Sequence, residues 1–160
     1  MADTPVVIHE LMESSGVKFG TSGARGLVSD MTDRVCYAYT RAFLNHLRDS
    51  GQAGKPSTVA IAGDLRPSTE RIIRAVAAAV EDAGYSVLNC GRIPSPAVAC
   101  YGMTHGMPSI MVTGSHVPDD RNGIKFNRPD GEILKEDERH IAAATVTVPS
   151  GRFTSDGALS

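Results

Sequence analysis

The chain has no tryptophan, only four tyrosines and four phenylalanines, and almost no net charge, formally -2 over 160 residues. No basic block stands out among its Lys and Arg residues. A dedicated nucleic-acid binder needs a basic footprint, so no nucleic-acid partner is expected. The three cysteines, Cys36, Cys90 and Cys100, form no Cys-x-x-Cys pair, and their number is odd. That argues against a disulfide framework or a structural zinc site and predicts reduced, mostly buried thiols. No apolar run approaches the roughly 20 residues of a membrane helix. The start, MADTPVVIHELMES, lacks a basic segment followed by a long apolar stretch, so no signal peptide and no membrane partner are expected, and the predicted location is cytoplasmic. Internal repeats and low-complexity tracts are missing too.

What is present suits one globular domain. Hydrophobic residues make up 41% and charged residues 21%, enough to bury a core at this length. Val17 to Gly26, VKFGTSGARG, reads as a glycine-rich loop. Val35, Ala38, Tyr39, Ala42, Phe43 and Leu47 recur at helical spacing, which predicts a helix over 33–49 with Gly51 as its stop. TVAIA (58–62) reads as a strand, and a helix follows over 68–83, its apolar face built by Ile72, Ile73, Val76 and Val80. Further strands are predicted at 86–90 and 109–113, with a short helix over 97–104 between them. Short strands at 123–127 and 132–134 flank the turn Arg128-Pro129-Asp130-Gly131. A last helix covers 135–144. From Thr145 onward no periodicity is evident, and 146–160 reads as a linker or disordered tail after a domain over 1–145. Strands separated by helix-length stretches predict an α/β class, a three-layer α/β/α domain with a mostly parallel, mixed sheet. Ligands of open α/β sheets sit beyond the carboxyl ends of strands. GDLRPS and TGSHVP both fall there.

Four residues carry candidate chemistry. Ser115 lies just after a strand between Gly114 and His116, with Pro118 stiffening the exit; alone, it reads more readily as an ordinary loop serine than as a reactive one. His116 could relay a proton, but neighbours in extended chain point apart, and no carboxylate is placed to orient it, so a hydrolase triad is rejected. In NGIKFN, alternation sends Ile124 and Phe126 one way and Lys125 the other, toward solvent or a site. Arg25 stands in GTSGARG, where Thr21, Ser22 and Gly23 could expose backbone N–H groups to a phosphate and Arg25 add a bidentate grip. The loop matches neither the Walker lysine pattern nor a GxGxxG after a strand, which leaves a nucleotide-binding α/β domain without support.

The combination is more specific than its parts. GTSGARG, GDLRPS, RIPSPA, TGSHVP and NGIKFNRPDGEI follow one another between Gly20 and Ile133. In this order they resemble the first domain of the α-D-phosphohexomutases, the phosphomannomutase and phosphoglucomutase superfamily. The family signature around its reactive serine usually reads T-A-S-H-N-P; here Gly114 replaces the alanine and Val117 the asparagine. The resemblance implies that Ser115 is the phosphoryl carrier, exchanging its group with a hexose 1-phosphate or 6-phosphate through a bisphosphate intermediate. It also implies that Arg25 and Lys125 neighbour the reacting phosphate, that Lys125 is a candidate general acid/base beside His116, and that a hexose bisphosphate serves as activator. Such an enzyme holds Mg²⁺ through the phosphoserine, here Ser115, and a D-G-D-G-D loop. This chain has no D-x-D-x-D spacing; Asp119 and Asp120 are adjacent.

The metal loop and the sugar-recognition segments of the family lie in later domains. The expectation is therefore a piece of a longer enzyme, partnered by its remaining domains and by a hexose phosphate, with little or no mutase activity alone. The competing reading is a non-catalytic relative that binds a sugar phosphate or a protein.

Overall fold

The computed structural model describes residues 2–20, 22–54 and 57–160. Among the described residues, nine strands and five helices follow in order: β1 (Thr4–Val7), α1 (Ile8–Ser15), β2 (Lys18–Gly20), β3 (Gly23–Leu27), α2 (Asp33–Asp49), β4 (Thr58–Gly63), α3 (Thr69–Asp82), β5 (Ser86–Gly91), α4 (Ser95–His105), β6 (Ser109–Val112), β7 (Arg121–Arg128), β8 (Gly131–Glu132), α5 (Lys135–Ala143) and β9 (Thr145–Val148).

The main sheet runs β2-β3-β7-β6-β4-β5, with β8 added beside β7. One half of it is parallel, β4 lying between the edge strand β5 and β6. The other half is antiparallel, through β6–β7, β3–β7 and β2–β3. The α/β/α class and the mixed sheet hold, but among the described residues antiparallel ladders outnumber parallel ones, so the sheet is not the mostly parallel one expected: the hairpin strands β2 and β3 and the pair β7–β8 extend it by antiparallel pairing.

Alternation along the strands sorts two cores. Val59, Ile61, Ile110, Val112, Ile124 and Phe126 face α1, α2, α3 and α5 in the larger one. Ala60, Ala62 and Met111 face the other way, against Val98 of α4 and Met107. Helix α2 is the central prop. Thr32 caps it, its hydroxyl accepting from the Val35 N–H at 3.3 Å, and Tyr39, buried inside, donates its hydroxyl to the Val17 carbonyl at 2.6 Å.

Three further expectations are corrected. The glycine-rich segment after Val17 is a β-hairpin, β2–β3, whose second strand is paired on both sides; small residues hide the alternation that marks a strand. Residues 145–148 are not tail but β9, antiparallel to β1 with Val6 opposite Val146. Val146 and Val148 are buried there while Thr145 and Thr147 face out. The segment after β9 docks on α2: the Leu159 N–H donates to Asp33 Oδ2 at 2.8 Å, and Phe153 packs edge-on against Tyr37. Finally, all three thiols are free, but only Cys36 is buried; Cys90 is half-buried and Cys100 exposed.

Candidate active site

Strands β4 and β6 are parallel, so the loops leaving them emerge at one edge of the sheet. Antiparallel β7 begins at that edge and β3 ends there, Leu27 opposite Arg121. GDLRPS and TGSHVP are thus neighbours, as a ligand edge requires.

Asp64 ties them together. Its Oδ1 accepts from the Arg66 N–H at 3.0 Å and from the Thr69 hydroxyl at 2.5 Å. Its Oδ2 accepts from the Gly114 N–H and from Arg66 Nε, each at 3.1 Å. Burial works to raise the Asp64 carboxyl, but the bonds from Thr69, the Arg66 and Gly114 amides and Thr113 outweigh it and hold the group below the usual carboxylate range. Asn122, buried at the start of β7, donates to the Ser68 and Thr69 hydroxyls and fixes the same loop from the other side.

Ser115 sits exposed at the tip of the second loop with φ +57°, in the left-handed region. Such a conformation is strained for a residue with a Cβ. Its N–H donates to the Thr113 hydroxyl at 3.0 Å. His116 beside it is also exposed, and no hydrogen bond joins the two side chains among the described residues.

Arg25 and Lys125 lie on one face of the sheet. Arg25 is opposite Gly123, and Lys125 is opposite Gly23 on one side and Met111 on the other. Because register partners share a face and alternate residues repeat it, Lys18, Arg25, Arg121 and Lys125 all stand on the side away from α2. No carboxylate lies within ion-pair distance of any of the four among the described residues. The Thr113 N–H donates to the Gly123 carbonyl at 3.0 Å, which joins the root of the Ser115 loop to this cationic strip. Arg25, Lys18 and Arg121 line an open cleft of about 570 Å³ floored by Gly16, Gly20 and Gly26, a size usual for small-molecule sites.

The other expected phosphate contacts separate from this strip. Thr21 lies outside the described residues. The Ser22 N–H donates to Glu138 Oε1 at 2.7 Å and its hydroxyl to Glu132 Oε2 at 3.2 Å. Both donors are engaged by carboxylates, in a second cleft beside α5. Gly23 is buried within β3, and its lack of a side chain lets the Ile124 backbone close in.

The residues present do not fit a Mg²⁺ site of their own. No group of three His, Cys, Asp or Glu side chains converges among the described residues, and Asp119, four residues after the serine, is drawn to Arg66. A hard dication demands about six oxygens in near-octahedral array.

A family model described as phosphoglucomutase/phosphomannomutase, alpha/beta/alpha domain I, matches residues 16–150. The chain belongs to this family. It is 48% identical over 133 residues to a phosphomannomutase of Salmonella muenchen, a match covering 83% of this chain and 27% of that protein. It is 34% identical over 146 residues to a phosphoglucosamine mutase of Rhodococcus jostii (strain RHA1), covering 85% and 32%. A solved phosphoglucomutase/phosphomannomutase family protein from Burkholderia thailandensis superposes with TM-score 0.64 at 26% identity, covering 75% of this chain and 28% of that one. The chain thus spans about a quarter to a third of the length of these phosphohexomutase relatives. None of its described helices is long and apolar enough to cross a membrane.

Sequence reasoning passed over Asp64 and Arg66. The loop GDLRPS was visible at a strand end, but D-x-R carries no chemistry by itself. The two residues matter because β4 and β6 bring their loops together.

Proposed function

We propose that this chain is the phosphoryl-carrying domain of a hexose-phosphate mutase that interconverts hexose 1-phosphate and 6-phosphate through a bisphosphate, with Ser115 as the carrier. One observation supports this most: an exposed, conformationally strained serine joined through Thr113 and Gly123 to a sheet face bearing Arg25 and Lys125, which have no carboxylate partners among the described residues. Phosphoryl transfer needs little covalent machinery beyond positioning and positive charge on the equatorial oxygens.

In this reading the Ser115 Oγ–P bond breaks as a sugar hydroxyl forms its own bond to phosphorus. The sugar hydroxyl loses a proton and Ser115 Oγ gains one. Lys125 is the candidate for that proton traffic, with His116 beside the carrier, and Arg25 grips the equatorial oxygens. Turnover of the bisphosphate and return of its other phosphoryl group to Ser115 restore the resting state. The metal ligands of such an enzyme, and its sugar-recognition groups, would come from segments outside these residues. A cytoplasmic location is part of the proposal.

The test is phosphoryl uptake from a hexose 1,6-bisphosphate with Mg²⁺, read by mass spectrometry. The chain is assayed alone and with the remaining domains of the S. muenchen phosphomannomutase supplied as a separate chain. One phosphoryl group on Ser115, absent from Ser115→Ala, is expected, with hexose phosphate turnover only in the mixture. No adduct in either condition overturns the carrier role.

A further inference from the structure

We propose that Arg66 is the positioning residue of the Ser115 loop. It holds the loop's carbonyls on its own side, so that the serine and the neighbouring N–H groups are offered outward to the phosphoryl group. The inference rests on the reading of Ser115 as carrier.

The guanidinium is almost fully committed. Nε donates to Asp64 Oδ2. Nη1 donates to the carbonyl of Pro118 at 2.8 Å and to that of Arg121 at 3.3 Å, and also reaches Asp119 Oδ1 at 3.3 Å. Nη2 donates to the carbonyl of Val117 at 2.5 Å and to that of Ser115 at 3.3 Å. Four carbonyls spread over seven residues therefore converge on one rigid, planar fork. The side chain is only 10% exposed. Arg66 has little freedom left to grip a substrate; it acts through the loop.

The planarity of the peptide unit supplies the consequence. In a trans peptide the C=O and the following N–H point opposite ways. With the Ser115 carbonyl turned to Arg66, the His116 N–H points away from it; the Pro118 carbonyl does the same for the Asp119 N–H. Neither N–H has an acceptor in the protein among the described residues. The His116 N–H directly follows the strained serine, and outward N–H groups in one loop are suited to anionic oxygens. The left-handed backbone of Ser115, unfavourable alone, persists because its surroundings over-determine it.

Gly114 completes the device. A Cβ at this position would overlap the Arg66 guanidinium, Nε and Cζ foremost. The alanine usual in the family signature would push the fork out of place in this chain. Gly114 and Arg66 therefore act as a pair.

The test uses Arg66→Lys, Arg66→Ala and Gly114→Ala in the chain, with two readouts. The first is amide hydrogen exchange at Val117 and Arg121, whose N–H groups donate to the Gly114 and Pro118 carbonyls inside the loop. All three variants should speed that exchange about tenfold or more while the amides of α2 keep their wild-type rates, because the opening is local. The second is Ser115 phosphoryl uptake against bisphosphate concentration, in the mixture with the remaining S. muenchen domains. The limiting rate should fall about tenfold or more, with Arg66→Lys no better than Arg66→Ala, while the half-saturating concentration moves less than about twofold. Unchanged exchange overturns the clamp. Faster exchange with an unchanged limiting rate makes Arg66 a mere anchor and overturns its positioning role. If the Arg66 variants do not fold, Gly114→Ala reads the same displacement from the other side. If wild type takes up no phosphoryl group, the carrier reading fails and the positioning role with it, whereas the exchange result still stands for the clamp itself.

Discussion

Lys18 and Arg25 are register partners across the β2–β3 hairpin, two cations facing one another on the same side of the sheet. Like charges directly opposite destabilise a ladder by a few tenths of a kcal/mol. Arg121 lines the same cleft, and Asp30, which also lines it, forms no ion pair with any of them among the described residues. Such an arrangement favours an anion that sits between the charges.

One substitution should therefore act in two opposite ways. Without phosphate, Lys18→Ala is expected to melt at or slightly above wild type, because a repulsion is removed. With phosphate or a hexose phosphate in large excess, wild type should gain about 2.7 kcal/mol at a hundred times its dissociation constant, a rise on the order of 5–10 °C for a chain of this size. Lys18→Ala and Arg121→Ala should lose at least half of that rise. Thermal melts with and without ligand, at fixed ionic strength, check both. An equal rise in all three proteins would exclude the two residues from anion binding.

Strand β9 carries the second prediction. Val146 lies opposite Val6 in the β1–β9 ladder and is buried, while Thr147 faces out. Val146→Ala removes two methyl-sized groups from the core and should cost about 2 kcal/mol. Thr147→Ala should stay within about 0.5 kcal/mol of wild type. Urea denaturation separates the two, and equal small effects would mean that β9 does not contribute to the folded core.

The same strand shows what could be read from the sequence. Thr145-Val146-Thr147-Val148 alternates with period two, the signal for a half-buried strand, yet its partner β1 lies at the other end of the chain. A four-residue pattern without a visible partner is easily taken for tail. Helix α2 was legible residue for residue because its spacing is local and its periodicity long. The β2–β3 hairpin was not, since glycines carry no face. At the candidate site, the motifs single out Ser115, Arg25 and Lys125 as a set, and their functional role is a proposal. Asp64 and Arg66 were not, because their meaning lies in contacts with a loop far along the chain.

Asp137 gives a pH-dependent prediction. It is buried at the start of α5, where Oδ2 accepts from the Leu134 N–H at 2.8 Å and Oδ1 accepts from His46 Nε2 at 2.8 Å. Burial works to raise its carboxyl, but His46, the Leu134 amide and Arg128 together hold it below the usual range. The unfolded chain therefore takes up a proton on Asp137 before the folded one does. The stabilisation is present above the unfolded value, about 3.9, and is lost as pH falls through the lower folded value. Asp137→Asn should be less stable than wild type by about 2 kcal/mol at pH 7, and the gap should narrow below about pH 4. Urea midpoints at the two pH values decide it; a gap that widens toward acid would contradict the assignment.

Gly23 and Gly20 flank the hairpin turn and should respond oppositely to alanine. A Cβ on Gly23 would collide with the Ile124 backbone, directly beside Lys125, whereas a Cβ on Gly20 meets nothing within 4 Å. Neither has a positive φ, so sterics alone decide. Gly20→Ala should be neutral or stabilising by up to about 1 kcal/mol, since it restricts the unfolded chain. Gly23→Ala must part β3 from β7 and should cost about 3 kcal/mol, at the top of the overpacking range because the obstacle is backbone. It should also slow phosphoryl uptake by Ser115 in whatever fraction remains folded, because Arg25 and Lys125 hold their common face only while the β3–β7 ladder keeps its register. Paired measurement of the urea midpoint and the uptake rate separates strain from chemistry. Gly23→Ala with normal stability and normal uptake would mean that the close approach of the two strands matters to neither.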